Sequence, residues 1–461
     1  MKYSTIFIET FNVENVSSYF KKKLLSKKGG GRDRLSPKTF WEQNKTNIGD
    51  IIKRCAEGKY SFSSYNEKLI LKGRDKNPRV ISVPSVRDRL VLGIINEYLE
   101  RVFPECVNHH VPNYFIKRLK EYIALNKEHE IKFLKTDFMS FYTTINHSVL
   151  LKKIEDKIPD KVVLDMIRQA IQTPTVSNKN ASSQKNREGV PQGLAISNIL
   201  ASIYLYDFDK TFLIENNEYS KLAFRYVDDI IFIDPQFDNL LSRLKLFISK
   251  NNLNLKFSSD KVTGGVIGAD SLDFLGYVFT SSNMVTPRQS NINRYINRLA
   301  RRCTKFKREY ACKYLRPHFL DTDEKFISYF IEDINWLISG VKIESHLYGW
   351  LAYFQQMSDL SLLHRLDRIL NKKLLKGISL PQFSQIHSFV DSYYDIVERG
   401  GKHCVADFDA FFTMNAKKVY LTRRGWLNIH LFYTDEEIDH LFNLNRELVR
   451  KHMEHHIGYY N

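Results

Sequence analysis

Two adjacent aspartates, Asp228 and Asp229, interrupt the apolar run FRYVDDIIFI, and a third, Asp137, ends the strand-like stretch IKFLKTD. Neighbouring carboxylates repel and an unpaired buried charge is costly to desolvate, so a run that keeps two of them needs a counter-charge. Two readings stay open. In one, Asp-Asp is a plain turn between the halves of a hairpin, since Asp tolerates turn conformations. In the other, that turn presents its carboxylates to a divalent cation. If the Asp137 strand lies beside the hairpin in one sheet, Asp137 and Asp228 converge on a shared site. Carboxylates without a nearby cysteine or histidine suit hard Mg²⁺ or Mn²⁺. Two such ions support in-line displacement at phosphorus, one activating an attacking hydroxyl and the other neutralising the leaving pyrophosphate.

The elements that must position these groups can be read from pattern. SPKTFW starts a helix, with Ser36 as cap and Pro37 at its first position. Lys68 to Val83 reads as strands around a polar loop, and VRDRLVLGIINEYLERVF as an amphipathic helix. Arg87, Asp88 and Arg89 form a structural ion-pair cluster at that helix start. ISNILASIYLYDFDKTF and LSRLKLFISKNN read as helices, and LDFLGYVF as a strand. Strands and helices alternating in this way predict an α+β or α/β catalytic layer to about residue 280. Beyond it, RYINRLARRCTKF and HLYGWLAYF are helical, with basic or aromatic faces.

With 461 residues and 43% hydrophobic content the chain can bury a large core. Its net charge of +17 favours a polyanionic partner, nucleic acid first. Basic residues gather at Lys21 to Lys28 and again from Arg294 to Arg316. The five cysteines are scattered with no C-x-x-C, which indicates neither a disulfide framework nor a zinc ribbon. No apolar run reaches membrane-spanning length and the start lacks a signal-peptide pattern, so a soluble cytoplasmic protein is expected. His109, His110, His452, His455 and His456 are candidate metal ligands, but without cysteine or carboxylate partners at ligand spacing they read first as ordinary exposed or core histidines.

The ordered set KTDFMSFYTTI, EGVPQGLAISNILASIYL, FRYVDDIIFI and LDFLGYVF resembles the palm of reverse transcriptases, in order and approximate spacing. LKGRDKNPRVISVPSVRDRLV is similar to the finger segment of bacterial members related to group II introns, GGGRDRLSPKTF to their N-terminal segment, and ESHLYGWLAYF to their thumb. The resemblance implies a right-hand polymerase of α+β class, with fingers and palm (an antiparallel sheet packed on helices), then a helical thumb and a mainly helical C-terminal extension. The expected boundaries are 1–60 for an N-terminal segment, 61–280 for fingers and palm, 281–375 for the thumb and 376–461 for the extension.

Carried over residue by residue, the resemblance makes Asp137, Asp228 and Asp229 the catalytic carboxylates and metal ligands, with Phe138 offering a backbone carbonyl to one of two Mg²⁺ or Mn²⁺ ions. Tyr142 falls where the family keeps a ring beneath the sugar, which excludes a 2′-hydroxyl by a built-in clash. Lys72 and Arg79 match the positions that grip the triphosphate. Gln192 and Gly193 would let the backbone approach the nascent base pair, and Asn198 stands where many relatives have proline. Lys261 matches a lysine proposed to protonate pyrophosphate. Tyr226 would pack beside the primer end, and Phe274, Leu275 and Gly276 resemble the primer grip, though they also read as a core strand with a bulge. Arg298, Arg302 and Lys305, at spacings of four and three, are expected on one helical side along the template-primer duplex. Relatives commonly show a Gly-Phe-Arg-Pro-Gly-like segment where this chain has VNHHVPNYFIKRL, which departs from the pattern of template handling.

The activity implied is RNA-directed DNA polymerisation, with an RNA template, dNTPs and a DNA product as partners, no membrane, and room for a protein partner or homo-oligomer. An RNA-synthesising or template-independent polymerase on the same palm and an RNA-binding maturase-like scaffold are the alternatives. A polymerase with such an extension resembles bacterial retron-like and anti-phage reverse transcriptases, which points to defence with a dedicated non-coding RNA.

Overall fold

The chain is described from a computed structural model, for all residues except 1, 26, 28, 30, 45–46, 72–76, 109, 178–183, 216–217, 236, 259–261, 379, 429 and 455–461, and for 2–4 and 237–239 without side chains. It divides into two compact units, one of residues 1–109 and 132–264, the other of 110–131 and 265–461. Among the described residues no helix is long and apolar enough to cross a membrane.

The first unit holds strands β1 (Tyr65–Ile70), β2 (Arg79–Val83), β3 (Lys132–Asp137), β4 (Thr175–Val176), β5 (Leu222–Tyr226) and β6 (Asp229–Ile233). β1 and β2 are antiparallel, and β4 runs parallel to β1 on its other edge. In a separate antiparallel sheet β6 lies between β5 and β3. One face of that sheet is closed by the Ser197–Phe212 helix, whose Leu200, Tyr204, Leu205 and Phe208 are fully buried in the same core as Ile230 and Phe232. Ser36 caps the Pro37–Asn44 helix through its hydroxyl, 3.0 Å from the Thr39 amide.

The ion-pair cluster at the start of the Val86–Val102 helix is built around Asp88. This carboxylate is fully buried and accepts from the Tyr60 hydroxyl at 2.7 Å, the Ser63 amide and Arg87. Burial acts to lower the Arg87 pKa, but Tyr60 and Asp88 outweigh it and leave it raised. Arg89 instead reaches the Pro84 carbonyl.

In the second unit LDFLGYVF forms a hairpin where a single strand was expected. Leu272–Phe274 and Tyr277–Phe279 pair across a two-residue turn, Leu275 and Gly276, both at positive φ (+49° and +81°). Positive φ at both central residues is the type I′ signature, which matches the twist of paired strands. Leu275 accepts that conformation while fully buried. The Gln289–Ala311 helix follows, with Tyr295, Leu299, Cys303 and Phe306 as its buried stripe. Ala406–Asp407, in the C-terminal extension, pairs with Val341–Ile343.

Candidate active site

The antiparallel register sets Asp137 directly opposite Asp229, and Asp229 opposite Tyr226, so the three side chains lie in one row across the sheet end. Asp228 precedes Asp229 at the hairpin tip. Asp137 is 5% exposed, whereas Asp228 and Asp229 are half-buried. The tip is a two-residue turn, Val227-Asp228, with Val227 at φ +59°. Positive φ at the first central residue alone is a type II′ pattern, usually reserved for glycine. For a β-branched residue it is a true outlier, with a strain on the order of 1–3 kcal/mol that the surroundings must hold in place.

Behind Asp137 the backbone is fixed by a neighbouring segment. The Asp137 carbonyl accepts from the Ser258 amide at 3.0 Å, and the Met139 amide donates to the Lys256 carbonyl at 2.8 Å. The Phe138 side chain is buried and stacks on Phe257, with ring centroids 5.2 Å apart. Packing holds this residue, which leaves its backbone carbonyl as the group the cation reading uses.

Three walls surround the carboxylates. Tyr142 sits on the short Phe141–Thr144 helix and donates its hydroxyl to Asn198 Oδ1 at 2.7 Å. Burial pushes that hydroxyl up to about 12, with Asp228 adding to the rise and Arg225 and Arg79 opposing it. These charges therefore act on Tyr142 from the hairpin and from the start of β2, where Arg79 is half-exposed. The second wall is the Gly189–Gly193 segment. Its Val190 amide bonds the Tyr142 carbonyl, and the Gln192 carbonyl accepts from Ser82 on β2 at 2.7 Å. Gly193 has φ +102°, and a Cβ there would meet Ile81 Cγ2 at 2.7 Å and the Ser82 carbonyl oxygen at 3.0 Å. Both the conformation and the close approach require glycine. The third wall is the hairpin itself, where burial raises the Tyr226 hydroxyl pKa.

Lys72 and Lys261 lie outside the described residues. Phe274, Leu275 and Gly276 belong to the second unit, at the type I′ turn described above, and they form no bulge. The expected basic row is corrected by the helix packing. Arg302 lies within the buried arc and pairs with Asp333 at 2.9 Å with only 15% of its side chain exposed, over the Phe330 ring. Arg298 donates to the His452 carbonyl at 2.9 Å, and burial lowers its pKa to about 10. Lys305 is exposed, and it shares its outer face with Arg294, Arg301 and Arg308.

Two contributions escaped the sequence reading. One is the contact of Asn198, noted there only as a departure from proline, with the Tyr142 hydroxyl. The other is Arg225, two residues before the tip. It takes both carboxylate oxygens of Asp209 and donates Nη1 to the Val227 carbonyl at 2.8 Å. A charged residue beside an aspartate pair that needs counter-charge was the available signal for Arg225.

Among the described residues no three carboxylate, histidine or cysteine side chains are gathered closely enough to hold an ion alone. That is compatible with Mg²⁺, which is commonly held by one or two carboxylates together with substrate phosphates. The donor set of aspartates, without sulfur or imidazole, has the oxygen chemistry such an ion needs.

An acidic row on a sheet end, a strained hairpin tip and a glycine-bearing turn against β2 make a palm-like arrangement. Residues 70–279 are a reverse transcriptase domain, matching the family described as reverse transcriptase (RNA-dependent DNA polymerase). This domain is homologous to group II intron-encoded proteins: the protein LtrA of Lactococcus lactis subsp. cremoris is 26% identical over 192 residues, 41% of this chain and 32% of that protein. A putative COX1/OXI3 intron 1 protein of Saccharomyces cerevisiae is 23% identical over 188 residues, 40% of this chain and 22% of its own length. The chain thus spans about a third or less of these relatives. Among solved structures, telomerase from Candida albicans with a TWJ fragment of telomeric RNA aligns at TM-score 0.44 and 15% identity, over 85% of this chain and 67% of that one.

Proposed function

We propose that the chain is an RNA-directed DNA polymerase that adds deoxynucleotides to a 3′ hydroxyl. The observation that carries this reading is the register of Asp137 against Asp229, with Asp228 on the strained tip beside them. Asp137, Asp228 and Asp229, with the Phe138 carbonyl, would hold two Mg²⁺ or Mn²⁺ ions. When bound, such ions activate the attacking hydroxyl and neutralise the leaving pyrophosphate.

The chain's own residues supply the rest. Arg79 neutralises the triphosphate as a charge-assisted donor, a role Lys72 and Lys261 would extend. Tyr142, held by Asn198, stands beneath the sugar and rejects a 2′-hydroxyl by contact. Gln192 and Gly193 offer a backbone edge, free of any Cβ at the glycine, to the nascent base pair. Tyr226 would pack beside the primer end, and the Phe274, Leu275 and Gly276 turn of the second unit is read separately as a primer-grip element. Arg294, Arg301, Lys305 and Arg308 bind phosphates along the duplex without reading sequence.

The template is RNA and the product DNA. We read the biological setting as bacterial antiviral defence in the cytoplasm with a dedicated non-coding RNA template, supported by the resemblance to retron-like and anti-phage enzymes. Incorporation of labelled dNTPs on an RNA template, with and without divalent metal, tests the activity. Retained incorporation in chelator overturns the metal reading, and no incorporation on any primed RNA overturns the polymerase. Sequencing the nucleic acid that copurifies with the protein tests the template. A heterogeneous mixture of cellular RNAs overturns the dedicated one.

A further inference from the structure

The Arg225 guanidinium is a three-way clamp inside the first unit. Two of its nitrogens take the Asp209 carboxylate, Nε to Oδ1 at 2.6 Å, and the third donates to the Val227 carbonyl at 2.8 Å. The Arg225 side chain is 9% exposed. Asp209 belongs to the Ser197–Phe212 helix, whose N-terminal end follows the Gln192-Gly193 turn. One side chain therefore ties the helix that begins at one wall of the site to the tip that carries the carboxylates.

A buried ion pair kept only for packing can often be replaced by apolar residues without loss. Here the third bond goes to the carbonyl of the one residue of the hairpin with a left-handed backbone, Val227 at φ +59°. Such a conformation persists in a β-branched residue only where the surroundings over-determine it. The planar fork takes both carboxylate oxygens side by side and still reaches the carbonyl in a fixed geometry, a bidentate grip that the point-like ammonium of a lysine does not reproduce.

We propose that Arg225, anchored on Asp209, is the positioning residue that holds Val227 in its left-handed conformation and so aims the Asp228 and Asp229 carboxylates at the divalent cation. This rests on the polymerase reading of the site. Supporting hydrogen bonds behind metal ligands commonly change metal affinity 10- to 100-fold.

The test uses the full chain with Arg225→Lys, Asp209→Asn, Val227→Gly and the Arg225→Lys/Val227→Gly double variant. Mn²⁺ binding without nucleic acid is read from the paramagnetic resonance of free Mn²⁺, and the order of the 222–233 hairpin from amide hydrogen exchange. In folded Arg225→Lys and Asp209→Asn, Mn²⁺ affinity should fall roughly 10-fold or more and exchange at the tip should quicken. Glycine accepts positive φ without strain, so Val227→Gly should recover part of the affinity lost in Arg225→Lys. Should Arg225→Lys fail to fold, Asp209→Asn, which keeps its shape and one acceptor, carries the comparison. Unchanged Mn²⁺ affinity with unchanged exchange in the folded variants overturns the proposal. Wild-type protein that binds Mn²⁺ but extends no primer fails the polymerase reading and leaves the clamp standing. If wild-type protein binds no Mn²⁺, the cation reading fails, and the exchange rates alone decide whether Arg225 holds the turn.

Discussion

At the scale of single residues the proposed function divides the site into groups that would touch substrate and groups that hold them. Asp137→Ala and Asp228→Ala should each abolish metal-dependent DNA synthesis while the circular dichroism stays that of the wild type, because removing one of several repelling carboxylates seldom destabilises. Synthesis retained by both variants would remove them from the chemistry. Tyr142→Ala should raise the use of ribonucleotides relative to deoxynucleotides in single-nucleotide competition. An unchanged ratio returns Tyr142 to the core. Gly193→Ala places a Cβ 2.7 Å from Ile81 Cγ2 at φ +102°. It should lower stability by about 1–3 kcal/mol, read from denaturant unfolding. Wild-type stability would mean that β2 and the turn can separate freely.

At the scale of elements, the Gln289–Ala311 helix shows how packing redistributes equal charges. Ile292, Tyr295, Leu299, Cys303 and Phe306 form its buried stripe, and Arg302 lies at the edge of their arc, between Tyr295 and the buried Asn291 and Glu309, paired with Asp333. Arg301, Lys305 and Arg308 remain on the exposed side. Removing these three charges together should weaken duplex binding and flatten its salt dependence by roughly 0.9 of slope for each phosphate no longer neutralised. Arg302→Met should instead lower the melting temperature and leave the slope alone, since it strips Asp333 of one partner. Binding titrations at several salt concentrations separate the two, and a slope that follows Arg302 would overturn the assignment of faces. The stripe was visible in the order of apolar residues. The spacing of the arginines alone told which of them share a side, and not which side the core would take.

At the scale of the whole molecule, the C-terminal extension is bound into the second unit. Arg424 pairs with Glu332 and Asp333 on the Asp323–Ser339 helix and lies over Trp336, its centre 4.5 Å from the ring centroid. Asp333 is also the partner of Arg302, so one helix carboxylate serves two basic side chains. Burial raises the Glu332 pKa, against the pull of Arg424 and Arg423. Ending the chain at residue 375 would leave these carboxylates half-buried without Arg423 and Arg424 and uncover the edge of Val341–Ile343. Such a chain should aggregate or melt well below the intact protein in calorimetry. An unchanged melting temperature would make the extension an independent appendage.

The motifs and their order were enough to indicate a reverse transcriptase domain, an aspartate-bearing hairpin and most helices and strands, because each is a local property: a periodicity, a cap, a turn-forming residue, a run of acids in an apolar stretch. Tertiary structure alone decided the register that sets Asp229 opposite Asp137, the hairpin in LDFLGYVF and the inward turn of Arg298 and Arg302. It also decided the grip of Arg225 on Asp209 and Val227. These depend on partners far apart in sequence, 16 residues for Arg225 and Asp209 and 56 for Tyr142 and Asn198. Whether a charge meets water, a carboxylate or a backbone carbonyl is set by what the fold brings beside it, and no local pattern carries that information.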